Sequence, residues 1–147
     1  MTRLRTSIAA LAALYLLAAP AYAAIELEPG MWQDTETGTE DGKPLKPDVS
    51  TDCMTPEEAK DPLKGLAAMS DIGEQCKTKD VKQSGNTVTL VVQCGGPNRM
   101  SADMTTTYTF VDRKHYTGTI KSTVTMAGKQ ITFDKKVDSK WIGACKK

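Results

Sequence analysis

The chain has 147 residues with 19 basic and 18 acidic side chains, and those charges are scattered rather than clustered. That balance argues against a nucleic-acid or anionic-lipid surface, both of which draw on concentrated cations. Past its N-terminal stretch the sequence holds no apolar run long enough to cross a bilayer, so no membrane span is expected in the mature protein.

The N-terminus reads as an export signal. Arg3 and Arg5 precede an apolar stretch over 8–19, and Ala21-Tyr22-Ala23 supplies the small-x-small pattern that signal peptidase accepts. Residues 1–23 are expected to be removed, leaving 24–147 as a single periplasmic domain. Without Arg3 and Arg5 the remaining 17 basic and 18 acidic residues give a net charge of −1. The cleavage region has no cysteine to acylate, so a lipoprotein is not expected. Cys53, Cys76, Cys94 and Cys145 then face an oxidising compartment, where an even count points to disulfides.

Met31 to Thr37 reads as a first strand. Thr55-Pro56-Glu57-Glu58 follows as an N-cap, a proline at the first helical position and a capping-box glutamate. Asp61-Pro62 repeats the grammar, so the helix should kink or restart there. Ala59, Leu63, Leu66 and Ala67 share one face at helical spacing. The Glu57/Glu58 pair invites an acid–base reading, but at a helix start it is better explained by the helix dipole.

Beyond the helix the pattern is strand. Ser84-Gly85-Asn86 forms a turn between 77–83 and Thr87–Cys94, whose Val88, Leu90, Val92 and Cys94 alternate onto one face. Folding 100–126 about Arg113, with Val111 opposite His115, pairs Phe110 with Tyr116, Tyr108 with Gly118, Thr106 with Ile120, Ala102 with Val124 and Met100 with Met126. The other face then pairs Thr109 with Thr117 and Thr107 with Thr119. One face is mainly apolar and the other polar, and a one-residue slip would destroy that segregation. A two-residue Gly128-Lys129 turn sets Met126 against Ile131, Val124 against Phe133, Ile120 against Val137 and Tyr116 against Trp141. Its blemish is Lys121 opposite Lys136. The fold class expected is mainly β with one short helix: an antiparallel meander of about five to six strands, as a curved sheet or partly open barrel, stapled by two disulfides.

The meander constrains the cysteine pairing. Cys76 and Cys94 fall at one end of the sheet, whereas Cys145 follows a last strand running to the far end, roughly 30 Å away at about 3.3 Å per residue. That distance disfavours Cys94–Cys145 and Cys76–Cys145 and leaves Cys76–Cys94 with Cys53–Cys145. Placing Val81 on the apolar face shifts the first hairpin by one residue, which a bulge must absorb.

The residues that could carry chemistry have plainer explanations. His115, the one histidine, sits beside a turn on the polar face with no carboxylate or nucleophile partner in view. Asp103 and Asp134 flank Thr123 on the same polar face, as solvated sheet carboxylates do. Met100, Met104 and Met126 share the apolar face, where core packing outweighs copper(I) ligation. Tyr108 over Gly118 reads as an aromatic covering a glycine. Zinc-helix, nucleophile-elbow, phosphate-loop and CxxC motifs are all missing. No enzyme activity, catalytic residue, metal or cofactor is therefore expected.

Several segments in order carry a family resemblance: Ile25-Glu26-Leu27-Glu28-Pro29-Gly30-Met31-Trp32, Cys53-Met54-Thr55-Pro56-Glu57-Glu58, Ser84-Gly85-Asn86-Thr87, Tyr116-Thr117-Gly118-Thr119 and Ile142-Gly143-Ala144-Cys145. Together they resemble the bacterial domain-of-unknown-function family DUF 3617, small exported proteins with four cysteines. The resemblance implies a periplasmic single-domain protein and supplies no activity and no site residues. The expected function is a non-catalytic module that binds an apolar ligand or partner on a concave apolar face, with Tyr108, Tyr116, Ile120 and Trp141 as its lining. The alternative is a structural or inhibitor-like interaction protein of the envelope with that face closed. A hydrolase ranks third. A monomer is expected, with an apolar ligand or an envelope protein as its partner.

Overall fold

The computed structural model describes residues 24–64, 75–95 and 100–146. The proposed leader, 1–23, lies outside the described residues, as do Leu66 and Ala67 of the expected helix face. The described chain folds as one antiparallel sheet of eight strands: β1 Gly30–Glu40, β2 Lys43–Pro44, β3 Asp48–Met54, β4 Cys76–Ser84, β5 Thr87–Cys94, β6 Ser101–Asp112, β7 His115–Met126 and β8 Lys129–Gly143. The order across the sheet is β2-β1-β8-β7-β6-β5-β4, and β3 also pairs with β1. The meander is thus continuous from β4 to β8, and β1 joins it by pairing with β8.

The strand count exceeds the five or six expected, for a legible reason. β2 is two exposed residues, and six of the seven residues of β3 are exposed, so neither carries an alternating apolar signal. Their pairing to β1 is set by the β1 backbone and by the tight turn at Asp41 and Gly42, both at positive φ.

The β6–β7 hairpin has the register that face segregation predicts from Ala102↔Val124 to Phe110↔Tyr116. At its turn the expectation fails. A bulge after Phe110 makes Asp112, not Val111, the partner of His115, and Val111 is left 54% exposed. The bulge tightens the connection to the two residues Arg113 and Lys114, and the Asp112 carboxylate accepts the Lys114 amide at 2.6 Å.

The β7–β8 hairpin is shifted by two residues from the expected register. Its loop is Ala127-Gly128, both at positive φ (51° and 77°), which is the backbone of a tight primed turn. Met126 therefore faces Lys129, Val124 faces Ile131, Gly118 faces Val137 and Tyr116 faces Ser139. A two-residue shift keeps every side chain on its face while changing its partner. It also removes the blemish: Lys121 now faces Asp134 and pairs with it at 3.5 Å, instead of opposing Lys136.

At the helix the sequence grammar holds. Thr55 caps α1 (Pro56–Lys60) through the Glu58 amide, and the Glu58 carboxylate accepts the Thr55 amide at 2.8 Å. The chain breaks at Asp61, whose side chain accepts the Lys64 amide and so caps a second turn over 62–64.

The core lies on the inner face, the side of the sheet bearing Val88 and Leu90. There Leu27, Trp32, Ala59, Val88, Leu90 and Phe110 are buried together. The N-terminal segment and α1 close this end, tied by the Leu27 amide donating to the Ala59 carbonyl and the Glu28 amide to the Arg113 carbonyl. Cys53–Cys145 staples β3 to the residue after β8 at this closed end, across 92 residues of sequence. Cys76–Cys94 staples the opposite end, where a bulge between Thr78 and Asp80 brings the two cysteines directly opposite. Val81 lies on the apolar face as expected, opposite Leu90, yet it stays 52% exposed because β4 is an edge strand.

The expected methionine packing is corrected. Met100 lies just before β6 and Met126 pairs with Lys129, leaving the two 57% and 54% exposed. They sit past the closed end, where neither α1 nor the N-terminal segment covers the sheet.

Candidate functional site

Pairing of β1 with β8 creates the most differentiated region of the inner face. Trp32, Asp34 and Glu36 alternate onto that face and stand beside Trp141, Ser139 and Val137. From the other side, β7 presents Tyr116 next to Ser139 and Gly118 next to Val137, and β6 presents Tyr108 next to Gly118. An aromatic floor therefore meets a row of carboxylates.

The floor is packed by specific geometry. Tyr116 is the hub, with ring centroids 5.5 Å from Trp32, 5.8 Å from Phe110 and 5.9 Å from Tyr108, the last edge-on. Gly118 provides the space for Tyr108. A Cβ there would lie 2.9 Å from the Tyr108 ring. Gly30 does the same for Trp141 while holding a φ of 139°, and a Cβ there would meet the Trp141 indole nitrogen at 2.5 Å. The Trp141 indole donates to the Pro29 carbonyl, and Lys114 covers its ring at 4.3 Å.

The polar row is internally matched where it is buried. Ser139 is fully buried on the inner face, and its hydroxyl donates to the Asp34 carboxylate. Lys135 reaches Glu36 at 2.6 Å, both of them half-buried. These groups act on the tyrosines: burial, then Tyr116, Asp34 and Glu36, push the Tyr108 phenol up to about 12. Burial also raises Tyr116, opposed by a hydrogen bond with Ser139 and reinforced by Asp34 and Asp52. Both phenols therefore stay protonated as hydrogen-bond donors at neutral pH.

The four residues expected to line a binding face are brought together only in part. Tyr108 and Tyr116 touch. Ile120 lies one inner-face position beyond Gly118, opposite Lys135 and half-buried. Trp141 belongs with Trp32 and the N-terminal segment at the edge of the closed core. Asp34, Glu36, Lys135 and Ser139 were absent from the sequence reading. The parity of β8 contained the signal: Lys135 and Ser139 alternate with Val137 and Trp141, so all four share a face under either register.

The opposite face is polar. A hollow of about 400 Å³ lies there, lined by Asp103, Thr105, Lys121, Thr123, Thr132 and Asp134 among others. Its two carboxylates are separately engaged, Asp103 by the Gln93 amide at 2.8 Å and Asp134 by Lys121. His115 is not partnerless, as the sequence suggested: its Nε2 lies 2.6 Å from the Asp138 carboxylate, which also accepts from Lys140. Lys140 and then His115 hold the Asp138 carboxyl below its usual range. The miss follows from register, because Asp138 reaches His115 only from the neighbouring strand. Among the described residues no hydroxyl or thiol bonds to His115, and no group of three or more His, Cys, Asp or Glu is placed to hold a metal ion.

The family model for "Protein of unknown function (DUF3617)" matches residues 27–145, and the chain belongs to that family. No curated protein and no solved structure matches it.

Proposed function

Starting from that membership, we propose that this DUF3617 protein is a non-catalytic periplasmic binding module that holds a small amphipathic molecule on the inner face of its sheet. One observation carries the reading. Bordering the closed core at Tyr108, the inner face continues past buried Val92 and Thr106 as half-buried Ile120, Val124, Ile131, Phe133 and Val137, directly beside the Asp34–Ser139 and Glu36–Lys135 pairs. Apolar surface bordered by a few placed polar groups is the usual composition of a small-molecule site. The apolar part of the ligand lies along Ile120 and Phe133, and its polar end meets Lys135 or the tyrosine hydroxyls. Export is supported by the N-terminal leader pattern and by the pairing of all four cysteines, which suits an oxidising compartment. The His115–Asp138 pair is read as a strand-to-strand polar contact with no chemical step assigned to it.

Native mass spectrometry of protein purified from the periplasm tests this directly. The expected result is a mature mass lacking residues 1–23, with an additional native mass that disappears on denaturation and is absent from an Ile120→Asp variant that melts like the parent. A bare native protein, or an adduct retained by Ile120→Asp, would overturn the inner-face reading.

A further inference from the structure

The two edges of the sheet are built differently. β4 carries two devices that discourage strand addition: a bulge between Thr78 and Asp80, and the lysines Lys77, Lys79 and Lys82. β3 has neither bulge nor lysine, and its edge charges are the carboxylates of Asp48 and Asp52, which repel acidic strands and attract basic ones. It pairs with β1 in an unbroken register from Gly30↔Met54 to Glu36↔Asp48, with no lysine and no proline inside it. Its other side bears no strand among the described residues, and Asp48 through Cys53 are exposed, Val49 by 58%. The Cys53–Cys145 bond fixes its end to the closed core, so the edge is ordered before any partner arrives.

Charge selects the partner. Asp48, Ser50 and Asp52 lie on the inner face beside Glu36, Asp34 and Trp32. Glu36 and Asp48 are directly opposite, a like-charge arrangement that destabilises a strand pair. Lys135 relieves only the Glu36 side. Among the described residues neither Asp48 nor Asp52 has a cationic partner.

We propose that the free edge of β3 takes up an extended segment of another polypeptide as an added strand, with basic side chains at alternate positions over Asp48 and Asp52 and apolar ones beside Val49. Main-chain hydrogen bonds supply the attachment, and the two carboxylates set which side chains are accepted. This inference goes beyond the small-molecule reading of the inner face and does not depend on it.

The test uses the intact oxidised protein and a fluorescent decapeptide of alternating lysine and valine, followed by anisotropy and by amide hydrogen exchange. The peptide is expected to bind and to slow exchange across 48–54. Replacing its lysines with glutamate, or methylating every backbone nitrogen while keeping the lysines, should abolish binding. A double Asp48→Asn, Asp52→Asn variant should bind between about threefold and tenfold more weakly, the effect of two exposed ion pairs. The backbone-methylated peptide leaves the protein unaltered, so that arm holds even if the variant folds poorly. Absence of binding, equal binding of the glutamate or methylated peptide, or protection that spares 48–54 would overturn the proposal. So would concentration-dependent self-association with 48–54 already protected, which would assign the edge to a second copy of this chain.

Discussion

The two ends of the inner face are made from the same strands yet have opposite fates. At the closed end the N-terminal segment and α1 lie over the sheet, and Trp32, Val88 and Phe110 are buried. At the other end Met100 and Met126 are more than half exposed, and Val124, Ile131 and Phe133 are only partly covered. Each end has its own disulfide. A single sheet thus divides its apolar surface between a part that holds the fold and a part left over for something else, with Tyr116 and Ser139 near the boundary.

The sharpest way to break that comparison is to cut the staples one at a time. Replacing Cys53 and Cys145 with serine opens a loop of 92 residues and should cost about 4.5 kcal/mol, against about 3 kcal/mol for Cys76 and Cys94, which span 18. Urea denaturation of the two double variants measures the difference. Equal losses would mean that loop length does not set what each staple contributes. Next in size is Trp32→Ala, which should cost about 3–5 kcal/mol, whereas Met126→Ala at the open end should stay within about 0.5 kcal/mol of the parent. At the boundary, Ser139→Ala removes the hydroxyl that Asp34 accepts and should cost about 1–3 kcal/mol. Asp34→Asn in that background should recover part of the loss, since it removes the stranded charge.

Acid should act on both ends through depressed carboxylates, Glu58 and Asp138 toward the closed end and Asp41 at the other. Glu58 is held below its usual range by the Thr55 amide, and Asp41 by the Thr132 amide. A depressed folded pKa contributes stability that is present above the unfolded carboxylate value and lost as pH falls through the lower folded value. The melting temperature should therefore decline below about pH 4, and Glu58→Gln should flatten that decline. A slope unchanged in Glu58→Gln would show that the capping box contributes nothing under acid.

What could be read in advance divides along the same physical lines. Face segregation determined the β6–β7 register from Ala102 to Phe110, because a one-residue slip there would bury threonines and expose tyrosine. It could not distinguish registers two residues apart, since both keep Ile120, Val124 and Phe133 on one face. The β7–β8 register, and with it the approach of Asp138 to His115, is therefore not encoded in the face pattern. Long-range partners were the other blind spot. Pairing of β1 to β8 brings Asp34 to Ser139 across 105 residues, and no local pattern in β1 announces it.

The opposition of Lys121 and Lys136 was the one local clue to the true register, and it leads to a final prediction at the open end. The observed pairing places Lys121 against Asp134 but obliges Ala127 to adopt a φ of 51°, in the left-handed region that a β-carbon disfavours by about 1–2 kcal/mol. Moving the loop to Gly128-Lys129 would release the alanine and set two lysines opposite each other. The chain accepts strain at one turn residue to avoid repulsion in the strand. Asparagine tolerates that backbone, so Ala127→Asn should keep the register and stabilise the protein by about 0.5–1 kcal/mol, read as a higher urea midpoint. Lys121→Glu should favour the shifted pairing, in which position 121 faces Lys136. Nuclear Overhauser contacts between 121 and 136 in that variant, and between 121 and 134 in Ala127→Asn, would show that one ion pair and one turn residue set this register together. Contacts between 121 and 134 in both variants would leave the turn alone in control.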